Sequence, residues 1–352
     1  MKKIMTSVVL SIASVGAFAA ADTAKRGGVY SEYLICGTGA GCASKSSGGV
    51  ADSGKKYTLN NPFYQPQKGA FTTVTDFGYN INKVGFTITD VGGLPSDFGG
   101  QSGKYSAKAL TVAEHLAYGI TEEVAVKGLI RLAAPKKSIT WNTGQPRING
   151  TDSPEIDLVG IGVQWRANNN LWITSLSGVY ESIIDVASVF DGEIKVGHKS
   201  DNTIVYGFGH ATYFGWNKGN GYDSYGFGLT NEEGETLFFS QEMNVSSSTY
   251  FNIGGGVFTA FNSDWSVDGQ LFYSYAQWHN QVAVRLAVNF QPQKRLSLSL
   301  YGQAALIDSA DKFDDSVVRY KEDVGDLIPL EGAARFDNYS DVFFGLQITA
   351  TF

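Results

Sequence analysis

Gln281-Val282-Ala283-Val284-Arg285-Leu286-Ala287-Val288-Asn289-Phe290 reads as a strand with two unlike faces. Val282, Val284, Leu286, Val288 and Phe290 share one side; Ala283, Arg285, Ala287 and Asn289 share the other. A period of two sets one face against something apolar and the other against something polar. The pattern recurs in Arg295–Leu306, where Leu296, Leu298, Leu300, Ala304 and Leu306 oppose Ser297, Ser299, Tyr301 and Gln303. It returns in Val342–Phe352, with Val342, Phe344, Leu346, Ile348, Ala350 and Phe352 on one face. In 124–132, Val124, Val126, Ile130 and Leu132 oppose Ala125, Lys127 and Arg131. A soluble sandwich and a lipid-facing barrel both satisfy this alternation. Charges at mid-strand, in segments long enough to cross a bilayer, suit a barrel with a water-filled lumen.

Outward from these strands, the N-terminus sets the compartment. Met1-Lys2-Lys3-Ile4, an apolar stretch over 8–20 and the small residues Ala17–Ala21 form a secretory signal peptide, cleaved between Ala20 and Asp22. No later run reaches the roughly 20 apolar residues of a spanning helix, and the mean hydropathy is -0.10. A helical membrane protein is therefore excluded. The 42 glycines, 18 tyrosines, 22 phenylalanines and only 8 prolines favour strands and turns. A net charge of -7 argues against a nucleic-acid partner. Cys36 and Cys42, in a short Gly/Ser-rich stretch of an exported chain, suit a disulfide closing a small loop. The organisation read from this is a signal peptide over 1–21, an irregular segment over 22–68 and a barrel over 69–352. The segment 22–68 is either a periplasmic tail or a plug in the barrel mouth.

Short turns at 120–123, 168–170, 200–202, 262–264 and 291–294 alternate with longer connections near 135–153, 183–189, 215–220 and 308–338. That asymmetry, short inside and long outside, is the habit of outer-membrane barrels. Trp165, Trp172 and Trp265 fall beside short turns, and Trp141, Trp216 and Trp278 at the opposite strand ends, as two aromatic girdles require. The segments predict an all-β, transmembrane, antiparallel up-and-down barrel of about 14 strands. Region 221–244 is the weak point: if Asn231-Glu232-Glu233-Gly234 is an outer loop tip instead of a periplasmic turn, the count becomes twelve. Glu114 faces lipid in one register of its strand, which a bulge would repair.

The last strand, Phe343-Phe344-Gly345-Leu346-Gln347-Ile348-Thr349-Ala350-Thr351-Phe352, resembles the terminal strand of Gram-negative outer-membrane barrels. The resemblance implies that the barrel-assembly machinery reads Phe352. The segment 22–68 ahead of about 14 strands, with Asn61-Pro62, resembles the long-chain fatty-acid transport channels, in which an N-terminal hatch sits inside the barrel. Here Phe63 stands where that family's motif has a small residue, and the Gly/Asn-rich run before it is missing.

Chemistry at a catalytic site finds little footing. His198 and Ser200 resemble an outer-membrane phospholipase pair, without an orienting partner. His115, His198, His210 and His279 have no zinc spacing. Gly37-Thr38-Gly39-Ala40-Gly41 follows no strand and opens no helix. No enzyme activity, metal or cofactor is expected. The acidic stretch 308–338 reads as a solvated surface loop or as an inward constriction favouring cations. The expected function is an outer-membrane channel for passive diffusion of small solutes. Lys127, Arg131, Asp268, Arg285, Asn289, Ser297, Ser299 and Gln303 would line its pore. A hatch-gated transporter for hydrophobic molecules and a non-conducting structural or adhesive barrel are the alternatives. Expected partners are outer-membrane lipid and lipopolysaccharide, the assembly machinery and small solutes.

Overall fold

Alternating segments form sixteen antiparallel strands in one sheet. They are β1 (Phe71–Asp90), β2 (Ser102–Gly119), β3 (Val124–Trp141), β4 (Ile148–Thr151), β5 (Glu155–Asn168), β6 (Trp172–Ile183), β7 (Ala187–Ser200) and β8 (Thr203–Trp216). Then come β9 (Ser224–Thr230), β10 (Thr236–Glu242), β11 (Ser247–Ala260), β12 (Trp265–Tyr275), β13 (Asn280–Gln293), β14 (Leu296–Ser309), β15 (Ser316–Lys321) and β16 (Leu330–Thr351). This computed structural model describes residues 59–90, 100, 102–142, 148–151, 154–169, 171–184, 187–216, 224–230, 236–242, 247–275, 280–309, 316–321 and 330–352. The expected signal peptide, the Cys36/Cys42 pair and most of 22–68 lie outside the described residues.

The wall runs β1-β2-β3-β5-β6-β7-β8-β11-β12-β13-β14-β16 and closes where β16 pairs with β1, from Thr72↔Thr351 to Asp90↔Ala333. Closure gives every wall strand two neighbours and leaves no edge. Twelve strands make the ring, the alternative count, in place of the expected fourteen. The segments near 225 and 239 are strands, as their alternation predicts, but they pair with each other as the hairpin β9–β10 and with β15, outside the ring. A hairpin of this kind satisfies period two as well as a wall strand does, so the pattern alone overcounts.

One arc of the wall is much taller than the rest. β1, β2, β3 and β16 have 20, 18, 18 and 22 residues, about twice the 9–11 that a bilayer needs. Beyond the ring, β16 pairs with β15, β15 with β10 and β10 with β9, while β4 pairs with the end of β3. The expected irregular stretch near 135–141 is the end of β3, and 183–189 is mostly strand. A bulge falls at Asp157 on β5, which has no partner between Arg131↔Leu158 and Leu132↔Ile156.

Candidate functional site

Strand alternation sorts the side chains by polarity. On the inner face Ser266 and Asp268 of β12, Arg285 and Asn289 of β13, Ser297, Ser299 and Gln303 of β14, and Gln347 and Thr349 of β16 are buried. On the outer face Ile161, Ile253, Leu271, Leu286 and Leu300 each expose more than half of their surface. A water-soluble fold places these two classes the other way round.

At the centre of the inner face the Arg285 guanidinium lies 4.1 Å from the Tyr301 ring centroid, within cation–π range. It acts electrostatically on two carboxylates, Asp76 and Asp268. Asp76 accepts from the Tyr301 hydroxyl at 2.7 Å and from Gln347 Nε2 at 2.8 Å. Asp268 accepts from the Tyr206 hydroxyl at 2.7 Å and from Gln270 Nε2 at 2.9 Å. Each acid is thus held by neutral donors on either side of one cation.

Other charges pair further round the wall. Arg131 donates through Nε and Nη2 to Asp157, whose bulge turns it towards that guanidinium. Lys195 lies 3.0 Å from Glu193. His210 Nε2 lies 2.7 Å from Asp191 Oδ2, and the Thr212 hydroxyl donates to the same oxygen. An ionised carboxylate only accepts, so the ring proton sits on Nε2 and Nδ1 accepts from Asn252 at 3.1 Å.

The chain entering β1 crosses the end of the barrel that carries the short turns. Leu59 through Pro66 are all buried. Asn60 Nδ2 donates to the Ser297 hydroxyl at 2.7 Å, and Asn60 Oδ1 accepts from Thr349 at 3.0 Å. The Tyr64 hydroxyl bonds Thr72 at 2.7 Å, the Tyr64 carbonyl accepts from Gln164, and Gln65 donates to the Glu122 carbonyl. Phe63 is fully buried among Ile173, Ile204, Tyr206, Phe258 and Ala260. It rests on Gly197, where an added Cβ would come within 2.8 Å of the ring. Gly119 is bare for the same reason, since a Cβ there would lie 2.1 Å from the Gln67 carbonyl oxygen. This short segment therefore touches β1–β3, β5–β8, β11, β13, β14 and β16 at that end of the barrel.

Of the residues expected to line a pore, Asp268, Arg285, Asn289, Ser297, Ser299 and Gln303 are buried on the inner face. Ser297 binds the entering segment instead of standing free in the lumen. Lys127 and Arg131 share the inner row of β3 with buried Ala125 and Ala133. Trp165, Trp172 and Trp265 are exposed at the short-turn end. Trp141 and Trp216 close β3 and β8 at the other end, and Trp278 lies outside the described residues. Phe352 exposes its ring while its backbone exchanges hydrogen bonds with Phe71. His198 faces outward against Trp172. Among the described residues no three histidines, cysteines or acids converge as metal ligands. The sequence reading missed Asp76, Asp157, Asp191, Tyr206 and the contacts that Asn60 and Phe63 make with the wall. Asp76 was legible, since it alternates with Phe77 as Arg285 does with Leu286.

Glu114 stands on the outer face. Its neighbours Thr75 and Ile130 lie in unbroken ladders, so no bulge turns it inward. Thr75 donates a hydrogen bond to it at 2.7 Å. An acid on the apolar face costs stability in proportion to depth. Glu114→Leu is expected to raise unfolding stability in detergent or lipid by about 1 kcal/mol, measured by urea titration.

No family model matches the sequence, and no curated protein is similar enough to count as a relative. Solved structures do resemble the chain. An outer-membrane channel from Pseudomonas putida F1 is 9% identical, with 86% of this chain and 100% of that one covered and a TM-score of 0.44. A FadL homologue from Pseudomonas aeruginosa is 9% identical over 87% and 97%, TM-score 0.41. The NanC porin is 10% identical over 76% and 98%, TM-score 0.36. The architecture here, closed, antiparallel, polar within and apolar without, is that of an outer-membrane β-barrel.

Proposed function

We propose that the protein is an outer-membrane channel for small polar solutes, shut at its periplasmic mouth by the segment that leads into β1. The observation that carries this reading is the burial of Leu59–Pro66 across that mouth, above all Phe63. The membrane lies around the outer apolar rows, with the exposed Trp165, Trp172 and Trp265 at its inner surface. Short turns then face the periplasm and the tall arc of β1, β2, β3 and β16 faces outward. The pore is lined by Lys127, Arg131, Asp268, Arg285, Asn289 and Gln303, and selection is by radius and charge. In this reading 22–68 is a plug, with Asn60 and Phe63 as its anchors, and Phe352 is the assembly signal.

A second reading, passage of hydrophobic molecules, draws on one feature. Phe63, Tyr206, Phe208 and Phe272 form a chain of aromatic contacts at 5.7, 6.4 and 6.0 Å beside the plug. Single-channel recording of the refolded mature protein, beside a form lacking 22–68, separates these cases. Conductance only in the shortened form supports the gated channel. Steady conductance in both makes the segment a tail. Silence in both, with folding verified, leaves a structural or adhesive barrel and ends the channel reading.

A further inference from the structure

On β1, the outward row runs Phe71, Thr73, Thr75, Phe77, Tyr79 and Ile81, and the next residue is Lys83. On β2 it runs Tyr118, Leu116, Glu114, Val112 and Leu110, and then Lys108 followed, two positions on, by Lys104. On β3 it runs Val124, Val126, Gly128, Ile130, Leu132 and Ala134, and then Lys136. Three neighbouring strands thus end their apolar row after about 9–11 residues, the length that crosses a bilayer, and each ends it with lysine.

The register gathers these lysines. Lys108 lies directly opposite Lys136, and Lys83 stands opposite Ser106, the residue between Lys108 and Lys104 in the outward row. Like charges directly opposite, with Cβ atoms about 5 Å apart, destabilise a sheet unless something neutralises them. All four lysines are exposed. None makes an ion pair or hydrogen bond within the described structure. Among the described side chains of the other wall strands, no lysine or arginine faces outward above the apolar rows. The cluster is therefore local to one arc of the wall, at the height where hydrocarbon gives way to headgroups.

We propose that Lys83, Lys104, Lys108 and Lys136 bind the phosphate groups of a phosphorylated glycolipid in the outer leaflet, whose acyl chains lie along Leu110, Ile81 and Ala134. Several ammonium groups on adjacent strands neutralise phosphate as point charges, and the apolar rows beneath supply the complementary surface for the chains. The inference rests on the outer-membrane placement and not on conduction or on the plug.

The test uses the full mature chain in nanodiscs of zwitterionic phospholipid containing a minor fraction of lipid A, followed by detergent exchange and native mass spectrometry. The wild type is expected to retain lipid A, and K83Q/K104Q/K108Q/K136Q to retain it at least roughly tenfold less. The quadruple arginine variant is expected to restore retention, which shows that charge and not folding is at issue. Equal retention by the glutamine variant would overturn the proposal, as would equal retention of dephosphorylated lipid A by the wild type. Displacement by millimolar inorganic phosphate alone would make this a simple anion site and overturn the lipid assignment. Failure of the wild type to insert, read by flotation, would instead defeat the membrane placement itself.

Discussion

If the segment leading into β1 shuts the channel as proposed, Phe63→Ala is expected to make it open readily. The ring is wholly buried in a cluster with five residues of β6, β8 and β11, and it lies against Gly197 of β7. Truncating a buried phenylalanine to alanine costs about 3–5 kcal/mol, and each 1.4 kcal/mol is roughly tenfold in an equilibrium. The seated-to-open ratio should therefore fall at least about a hundredfold, visible as open time in single-channel records. Gly197→Val attacks the same contact from the other side, because its Cβ would stand 2.8 Å from the ring. It should open the channel while leaving the entering segment's own sequence untouched. If both variants stay as silent as the wild type, while the form lacking 22–68 conducts, the anchor lies elsewhere in the segment. If all three are silent, the gating idea is lost.

Removing Arg285 should cost more in stability than any other single change on the inner face. Asp76 and Asp268 are both buried, and both feel this one guanidinium. Removing one member of a buried charge group leaves the others uncompensated, at about 3–5 kcal/mol. Arg285→Gln is expected to show that loss in urea titration and to shift reversal potentials towards cation preference in an opened channel. Adding Asp76→Asn should restore part of both, since the carboxylate that Arg285 chiefly balances is then gone, whereas Asp268 also feels Lys195. A double variant no more stable than Arg285→Gln alone would mean that Asp76 and Arg285 are not coupled.

The wall of the barrel was largely legible in the residues. Gln281–Phe290, the stretch beginning at Arg295 and the C-terminal ten residues are β13, β14 and β16, with the apolar side outward. Strand number was not legible, because β9 and β10 alternate like their neighbours and only pairing reveals that they stand off the ring. Glu114 marked a real conflict: the register stays unbroken and the acid stays outside, satisfied by Thr75. The anchored turn was half visible. Asn61-Pro62 and the bulky Phe63 after it stand out in the sequence, whereas Leu59 and Tyr64 lie in a segment whose composition suits either a tail or a plug. A short apolar and aromatic run directly before the first strand was the available signal. The pairing of Asp268 with Tyr206, and of Asp76 with Tyr301 and Gln347, was out of reach, since these bonds join strands far apart in sequence, as Tyr301 and Asp76 do across 225 residues.

Closure by the first and last strands also governs how the chain can acquire this shape. The seam joins Thr72 to Thr351, 279 residues apart, so the contact that closes the ring waits for every strand between them. Pairings this remote form slowly, because the loop entropy is lost before any contact repays it. Until then the sheet has two raw edges and a row of bare apolar side chains, the combination most prone to aggregate. Once the seam is shut there is no end from which to unzip, and the half-life of the folded barrel becomes a matter of kinetics more than of equilibrium.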